Sequence, residues 1–347
     1  MKVCWFGCYD SDYARNQILL HGLRLNGVDV IECNETSIGW RRYPRLIKKL
    51  HELKNQYDII YCAFPAGYFV TIAWLFQKKP IVVDAFFPMH DAYVHDRKVV
   101  SKWSLYALWL SVVDRLTVSL ADRVIVDTKQ HALYWKRIVP KQHYELIPVG
   151  AETRIYHQID LADKHEGIIV TFHGTYIPLQ GVPNLIEVTK LLKSDDKIKF
   201  RFIGPKALHA AIVEQLGSNP KNIELLPWLS QTELNQRLNE SDIILGIFGQ
   251  SEKAKRVIPN KVFQGIAVKK PIITMDSPAI REVFSEKDVM LVGNKSEEIA
   301  AAIKELSHNS ELCAKLANSA YEKLQKVGLP EMLGQRLKEV FSRLSSV

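Results

Sequence analysis

The stretch Ile168-Ile169-Val170-Thr171-Phe172-His173-Gly174, near the middle of the 347-residue chain, decides the fold. It is a short, mostly apolar run that ends at a glycine and leads into a helix-length segment. The chain begins in the same way, with Lys2-Val3-Cys4-Trp5-Phe6-Gly7 followed by apolar residues at helical spacing from Asn16 to Leu25. The pattern of strand, loop and helix therefore starts twice, which predicts two similar α/β domains.

Further apolar runs of strand length follow each start. They are Val28–Cys33, Ile59–Cys62, Pro80–Asp84, Val124–Asp127 and Leu146–Pro148 in the first half, and Phe200–Ile203, Ile223–Leu225, Ile243–Gly246, Pro271–Thr274 and Val289–Val292 in the second. Strands that are apolar throughout and alternate with helices are typical of parallel sheets buried on both faces. We predict an α/β protein with two Rossmann-like, doubly wound parallel-sheet domains that face each other across a cleft.

The length of the chain suits two domains of roughly 100 to 200 residues each. The polar stretch from Tyr156 to Gly167 reads as a linker, so we place the first domain at residues 1–160 and the second at 161–328. Residues 329–347 form an amphipathic segment, which we expect to be a terminal helix that packs back on the first domain.

Composition and charge exclude several classes of protein. Hydrophobic residues make up 47% and charged residues 24%, which excludes a disordered or collagenous chain. The net charge of +8 is spread along the chain without a basic tail, so nucleic-acid binding is not predicted. Five scattered cysteines without metal-ligand spacing indicate reduced thiols, and the start has no secretory apolar region. The longest apolar stretch, Trp103–Val113, is too short to span a bilayer, so we expect a cytoplasmic protein.

Two loops of the second domain carry residues suited to an anionic ligand. Gly174–Gly181 is glycine-rich and precedes a helix, although a plain tight turn explains it as well. Lys253, Lys255 and Arg256 precede Pro259 at the start of another helix, where free N–H groups and the helix dipole favour an anion. A solvated basic loop is the alternative. The position of these three cations after a strand and before a helix favours a diphosphate site.

Two loops of the first domain carry polar residues beyond strand ends, where parallel sheets bind ligands. Asp84 ends an apolar strand, and we expect its carboxylate in the cleft and outside the core. With His90 and Asp91 it forms the catalytic candidate set, while a salt bridge or surface histidines are the plain alternative. Tyr9, Asp10 and Arg15, in the loop after the first strand, are acceptor-binding candidates, but a helix-capping loop explains them equally well.

A further stretch, Trp40-Arg41-Arg42-Tyr43-Pro44-Arg45-Leu46-Ile47-Lys48-Lys49, interleaves aromatic and basic residues. This pattern predicts peripheral contact with an anionic membrane surface. An amphipathic surface helix whose cations extend into solvent is an equally good interpretation.

The chain resembles the glycosyltransferase family 4 group of retaining GT-B enzymes. The strongest match is Arg256-Val-Ile-Pro-Asn-Lys-Val-Phe-Gln-Gly-Ile-Ala-Val-Lys-Lys-Pro-Ile-Ile-Thr274, similar to that family's donor-site helix and next strand; Leu146–Gly150 and Gly174–Gly181 also match. The resemblance implies a nucleoside-diphosphate-sugar co-substrate, a first domain that binds a glycan, lipid-linked or small-molecule acceptor, a retaining mechanism, no metal and no cofactor. Together with the cation cluster it gives the donor-binding candidates Gly174, Thr175, Lys253, Arg256, Asn260, Lys261 and Gln264. The sequence departs from the family where Arg256 and Gln264 replace two glutamates, and where Thr175 and Gln180 replace an arginine and a lysine.

Two other functions stay open, the first of them because both family glutamates are replaced. One is a catalytically silent nucleotide-sugar-binding protein, which would bind the donor without turnover. The other is a sugar-nucleotide epimerase or sugar phosphorylase on the same architecture, which would not glycosylate an added acceptor.

Overall fold

The computed structural model of the chain describes residues 1–161, 165–217 and 222–345. They form two compact units: the first consists of the residues up to Gly150 and the chain from Val327 onward, and the second is Ala151–Lys326. The boundary thus comes before residue 160, because the backbone N–H groups of His157 and Ile159 donate to Asn235 and Asn239 in the second unit. Residues 162–164 of the predicted linker lie outside the described residues.

Strands and helices alternate along the first unit. Its elements in chain order are β1 Lys2–Gly7, α1 Ala14–Leu25, β2 Asp29–Asn34, α2 Arg42–Glu52, β3 Ile59–Cys62, α3 Phe69–Phe76, β4 Ile81–Asp84, α4 Leu105–Ser119, β5 Arg123–Val126, α5 Lys129–Ile138 and β6 Tyr144–Leu146, with a π-helical turn at Asp91–Asp96.

Within the described residues, these strands form a six-stranded parallel sheet in the order β2-β1-β3-β4-β5-β6. Side chains alternate between its two faces, as the strand period requires. Val3 and Trp5 pack on one side, with Leu19 of α1, while Cys4 and Phe6 pack on the other with residues of α2 and α3. Burial on both faces explains why the strands are apolar throughout.

The second unit repeats this alternation. Its elements are β7 Ile168–His173, α6 Val182–Leu191, β8 Ile198–Ile203, α7 His209–Leu216, β9 Ile223–Leu226, α8 Gln231–Asn239, β10 Ile243–Leu245, α9 Asn260–Ala267, β11 Ile272–Met275, β12 Met290–Val292, α10 Ser296–His308 and α11 Ser310–Val327. Short 3₁₀ helices lie at Pro178–Gln180, Lys206–Leu208 and Ile280–Glu282.

The second sheet, in the described part of the chain, is also six-stranded and parallel, in the order β12-β11-β10-β7-β8-β9. The order reverses between β7 and β10. The crevice outside the carboxyl ends of two such strands is where open α/β sheets bind their ligands. In the first sheet the corresponding point lies between β1 and β3. The predicted fold class of two doubly wound parallel sheets, each flanked by helices, is confirmed.

The last helix, α12 (Pro330–Ser345), packs against α1 within the first unit. Leu333, Leu337 and Phe341 enter the same core cluster as Leu19 and Leu23. The two helices cross at glycines: a Cβ on Gly22 would lie 2.0 Å from the Pro330 carbonyl oxygen, and one on Gly334 would lie 2.0 Å from the Gly22 carbonyl. Larger side chains at either position would therefore push the helices apart.

One predicted strand is displaced. The sixth strand of the first unit is Tyr144–Leu146 and not Leu146–Pro148. Pro148 has no N–H to donate to a sheet, and the carbonyls of Ile147 and Pro148 accept hydrogen bonds from the Arg15 guanidinium. Across the described ranges, no helix has both the length and the apolar character needed to cross a membrane.

Candidate active site

The loop after β7 lies at the switch point of the second sheet, and its backbone closely approaches two side chains. A Cβ on Gly174, whose φ is +157°, would lie 2.5 Å from Gln180 Oε1 and 2.8 Å from Lys261 Nζ, so another residue would strain the backbone and displace these side chains. Gln180 Oε1 accepts from the Tyr176 N–H at 2.9 Å, and Gln180 Nε2 donates to Thr175 Oγ1 at 3.3 Å. Gln180, which replaces a lysine of the family pattern, thus holds the loop through two hydrogen bonds.

Lys261 is the unusual group of this region. It lies on α9, is buried, and its Nζ sits 3.5 Å from the centre of the Phe172 ring. Among the described residues its Nζ has no hydrogen-bond partner. Burial lowers the pKa of Lys261 well below its ordinary value. A buried ammonium without a counter-ion is costly, so this arrangement suits a site where an anionic ligand supplies the missing charge.

His173, the last residue of β7, shares this environment. It is buried, and its Nε2 also lacks a partner within the described part of the chain. Burial, together with the positive charge of Lys261, lowers the pKa of His173 to about 3. The imidazole is therefore neutral at pH 7 and adds no second positive charge beside Lys261.

Helix α9 brings further candidates to the same region. Pro259 precedes its first residue, one position earlier than the first-turn placement expected from the sequence, and no side chain caps the N-terminus. Gln264 is buried and follows Lys261 by three residues, so both lie on one face of the helix. Asn260 Oδ1 is buried without a partner among the described residues. The unused amide oxygen and the helix dipole add polar groups to this end of α9.

The three cations in the turn before α9 differ in exposure. Lys255 is half-exposed and forms an ion pair with Glu252 at 2.6 Å. Lys253 is buried and Arg256 is half-buried, and the Arg256 N–H donates to the Lys253 carbonyl at 3.0 Å. Lys253 and Arg256 stay candidates for ligand contact because they are less exposed than Lys255, which pairs with Glu252 at the surface.

Asp84 lies inside the core of the first unit, so the expectation that its carboxylate lies outside the core is wrong. Arg15 Nε donates to Asp84 Oδ2 at 2.9 Å, and the Tyr61 hydroxyl donates to the same oxygen at 3.0 Å. Burial, and then the negative charge of Asp84, raise the pKa of Tyr61 well above its ordinary value, so its hydroxyl stays protonated and donates. Asp84 and Arg15 are both buried and link β4 and α1 to the end of β6.

The other two acceptor candidates, Tyr9 and Asp10, differ in exposure. Tyr9 is buried, and its hydroxyl donates to Glu32 Oε2 at 3.0 Å. Asp10 is exposed, and its Oδ1 accepts from the Asp12 N–H at 2.9 Å. Of the predicted set Tyr9, Asp10 and Arg15, only Asp10 presents its charged group to solvent.

His90 and Asp91 lie where the chain leaves β4 for the π-helical turn. The backbone N–H of His90 donates to the buried Asp114 at 2.8 Å, which fixes the turn against α4. The His90 ring is half-buried and lies 5.1 Å from the His95 ring. Burial, and next the neighbouring His95, lower the pKa of His90, and Asp91 is buried. His90 is thus a mainly neutral imidazole that solvent can still reach.

Sequence reasoning missed a buried pair at the end of the neighbouring strand. Asp127 follows β5, and its Oδ1 lies 2.6 Å from His131 Nδ1 on the first turn of α5. The His131 ring lies parallel to Trp135, whose Nε1 donates to the Ala85 carbonyl just after β4. The pair supports the chain segment that leads to His90. The signal was an aspartate and a histidine four residues apart after an apolar strand.

Comparisons with known proteins show that this chain is similar to glycosyltransferases. Residues 156–323 match the model of the family described as glycosyl transferases group 1. The processive diacylglycerol alpha-glucosyltransferase of Acholeplasma laidlawii is 20% identical over 308 residues, covering 85% of this chain and 87% of that protein. Sucrose-phosphate synthase of Thermosynechococcus elongatus has a TM-score of 0.80 at 13% identity, over 100% of this chain and 99% of that one. HepE of Anabaena, solved in complex with UDP, has a TM-score of 0.69 at 15% identity, over 99% and 100%.

The two solved structures share the fold, and the family match falls on the unit that holds Gly174 and Lys261. The resemblance to GT-B glycosyltransferases is therefore confirmed, whereas the family 4 assignment stays a prediction. The chain is a glycosyltransferase that takes a sugar from a nucleotide sugar, and its residues 156–323 match the model of the glycosyl transferases group 1 family.

Proposed function

We propose that this chain is a retaining, metal-independent glycosyltransferase that moves a hexose from a nucleoside-diphosphate sugar to a lipid-linked or glycan acceptor. The observation that carries the donor assignment is the buried Lys261 ammonium beside Gly174, which lacks a counter-ion among the described residues. The retaining outcome and the family 4 assignment rest on the resemblance of Arg256–Thr274 to that family's donor-site segment.

The donor diphosphate is assigned to Lys261, Arg256 and Lys253. A departing nucleoside diphosphate gains negative charge as the glycosidic bond breaks. Cations fixed in a buried site stabilise that charge most in the transition state. Lys261 is held in place by burial before the donor arrives, and a diphosphate beside it would raise its lowered pKa and keep it charged. Because these cations supply positive charge at the leaving group, we propose that the reaction needs no metal ion.

The neighbouring polar groups suit the rest of the nucleotide. Gln264 lies one turn beyond Lys261 on the buried face of α9, and its amide has both donors and an acceptor for ribose hydroxyls. Asn260 and Thr175 are assigned to the edge of the same site, where the Asn260 Oδ1 acceptor is unused within the described residues.

On the first unit, His90 is the residue we propose to act near the reacting centre, with Asp91 beside it. A half-buried imidazole with a lowered pKa is neutral at pH 7 and can accept a hydrogen bond or a proton. Asp10, the exposed member of the acceptor set, is proposed to contact acceptor hydroxyls. Asp84 and Arg15 are assigned to the stability of the unit because their charges are paired inside it.

A lipid-linked acceptor at an anionic membrane surface is the substrate class we favour. The similar protein from Acholeplasma laidlawii is named for glucose transfer to diacylglycerol. Trp40 is 73% exposed, and the adjoining helix α2 exposes Arg45 and Lys48, as the predicted membrane contact requires. The five cysteines are free, which fits a reducing compartment, and we propose the cytoplasmic side of the membrane.

The donor assignment is tested with Lys261→Met, which keeps the length of the side chain and removes its charge. UDP is the first ligand to try, because HepE was solved with it. Calorimetry should show UDP binding about 10- to 150-fold weaker, the range for one lost hydrogen bond to a charged group, with uridine binding unchanged. Lys255→Met is the matched control, because its ammonium is already paired with Glu252. Unchanged UDP binding in the Lys261→Met protein would refute the assignment.

The stereochemical and metal proposals have their own test. Proton NMR of the first product should show the anomeric configuration of the donor. Turnover should persist in excess EDTA. An inverted product would refute retention, and activity that EDTA abolishes and Mg²⁺ restores would refute metal independence.

A further inference from the structure

Helix α4 is apolar on two opposite faces. One face packs into the first unit through residues such as Ala107, Leu110 and Val113. The other face is exposed, with residues at helical spacing, namely Leu105 (85% exposed), Leu108 (62%), Trp109 (45%), Val112 (47%) and Leu116 (39%). A surface helix of a globular protein normally places charged residues there. Contiguous exposed apolar surface marks a place of interaction.

The apolar surface continues beyond α4. Helix α3 packs against α4 and exposes Trp74, Leu75 and Phe76 at its end. Trp103, just before α4, is 86% exposed, and the Tyr106 ring stacks on Trp109 at 5.5 Å. We call residues 74–76 and the exposed residues from Trp103 to Leu116 the α3–α4 face.

The charges around the α3–α4 face have one sign. Residues 69–79 and 97–119 contain the cations Lys78, Lys79, Arg97, Lys98, Lys102 and Arg115. Their single acidic residue is Asp114, which is buried and accepts from backbone N–H groups. Helix α2 with its exposed Arg45 and Lys48 packs against α3, so more positive charge lies to one side. An occupant of this face must therefore be apolar at its centre and anionic at its rim.

An anionic bilayer has both properties. Tryptophan and tyrosine favour the membrane interface, apolar helix faces lie in it, and each cation near an anionic leaflet contributes about 1 kcal/mol. A second copy of this chain meets only the first requirement, because a two-fold contact would place each basic rim against itself. We propose that the α3–α4 face docks this chain onto an anionic lipid bilayer, with α4 lying in the interface. The proposal rests on the membrane part of the proposed function and assigns the contact to a different surface from α2.

The test uses the full chain and vesicles of phosphatidylglycerol with phosphatidylcholine. Leu105→Ser/Leu108→Ser/Trp109→Ser removes exposed apolar groups and should lower the bound fraction about tenfold or more in co-sedimentation. Trp228→Ser is the matched control, because Trp228 is 52% exposed in the second unit, and its binding should equal that of the parent. Thermal unfolding and donor hydrolysis should be unchanged in both variants. Equal vesicle binding by the triple variant and the parent would overturn the proposal.

Two further measurements separate the other outcomes. Lys78→Glu/Lys79→Glu should weaken binding at low salt, whereas Arg41→Glu/Arg45→Glu should have the smaller effect. If only the Arg41/Arg45 variant loses binding, the α3–α4 face is refuted and the α2 contact stands. If the parent binds no vesicles, both membrane proposals fall, while glycosyl transfer is judged by its own assay. A parent dimer that the triple variant converts to monomers, without vesicle binding, would show a self-association surface instead.

Discussion

Replacing Asp84 by asparagine should destabilise the first unit strongly. The carboxylate pairs with Arg15 at 2.9 Å, both side chains are buried, and Arg15 also donates to two neutral carbonyls. Asparagine keeps the size and removes the charge, which leaves a buried guanidinium without its hydrogen-bonded counter-ion. Breaking a buried pair in this way costs about 3–5 kcal/mol, against a typical total stability of about 5–15 kcal/mol.

Tryptophan fluorescence during urea or thermal unfolding measures this loss. Six of the seven tryptophans lie in the first unit, so the signal reports mainly on that unit. At about 2–4 °C per kcal/mol for a unit of this size, the melting temperature should fall by about 6–20 °C. Asp29→Asn is the control: its pair with Lys2 joins neighbouring strands of the same sheet but is more than half exposed, so the change should cost about 1 kcal/mol or less.

The two interpretations of Asp84 give opposite results. If Asp84→Asn unfolds at the same urea concentration as the parent but no longer turns over, the structural assignment is refuted and Asp84 acts in the reaction, as the sequence indicated. If stability falls by the expected amount and the protein that remains folded keeps the parent rate, the buried pair only supports the fold.

Three further predictions concern Lys261, Gly174 and Arg256, which we propose lie at the donor site. Because burial lowers the pKa of Lys261, the folded state binds fewer protons than the unfolded state between that lowered pKa and the ordinary value of about 10.4, so stability should rise with pH across this window. Melting temperatures from about pH 6 to about pH 9 test this sign, and a parent slope equal to that of Lys261→Met would contradict it. Gly174→Ala should cost about 1–3 kcal/mol and weaken UDP binding, since its Cβ would displace Gln180 or Lys261; calorimetry with unchanged affinity would show that the loop does not contact the donor. Arg256→Ala should raise the activation free energy of turnover by about 2.7–4 kcal/mol and weaken UDP binding. A folded Arg256→Ala protein with the kinetics of the parent would show that Arg256 does not belong to the donor site.

The sequence was sufficient for the architecture. Short apolar strands that alternate with helices are typical of parallel sheets buried on both faces. This local pattern located strand β7 and the two loops that precede helices α6 and α9. A glycine after a strand made Gly174 a candidate, the family resemblance added Lys261, and the structure places the Lys261 ammonium close to Gly174. The strand at Leu146–Pro148 was misplaced because the carbonyls there serve Arg15, which is far away in the chain.

Only the tertiary structure decided which polar groups are available for chemistry. Arg15 and Asp84 are 69 residues apart in the sequence and meet inside the core, so two candidate site residues neutralise each other. The Phe172 ring lies against the Lys261 ammonium without supplying a charge, and the helical pattern of α4 did not reveal which of its two apolar faces stays in solvent. Periodicity along the chain reports burial and element type because these depend on neighbouring residues. Charge pairing and exposure depend on residues brought together by folding, so they are determined only when the whole sheet has assembled.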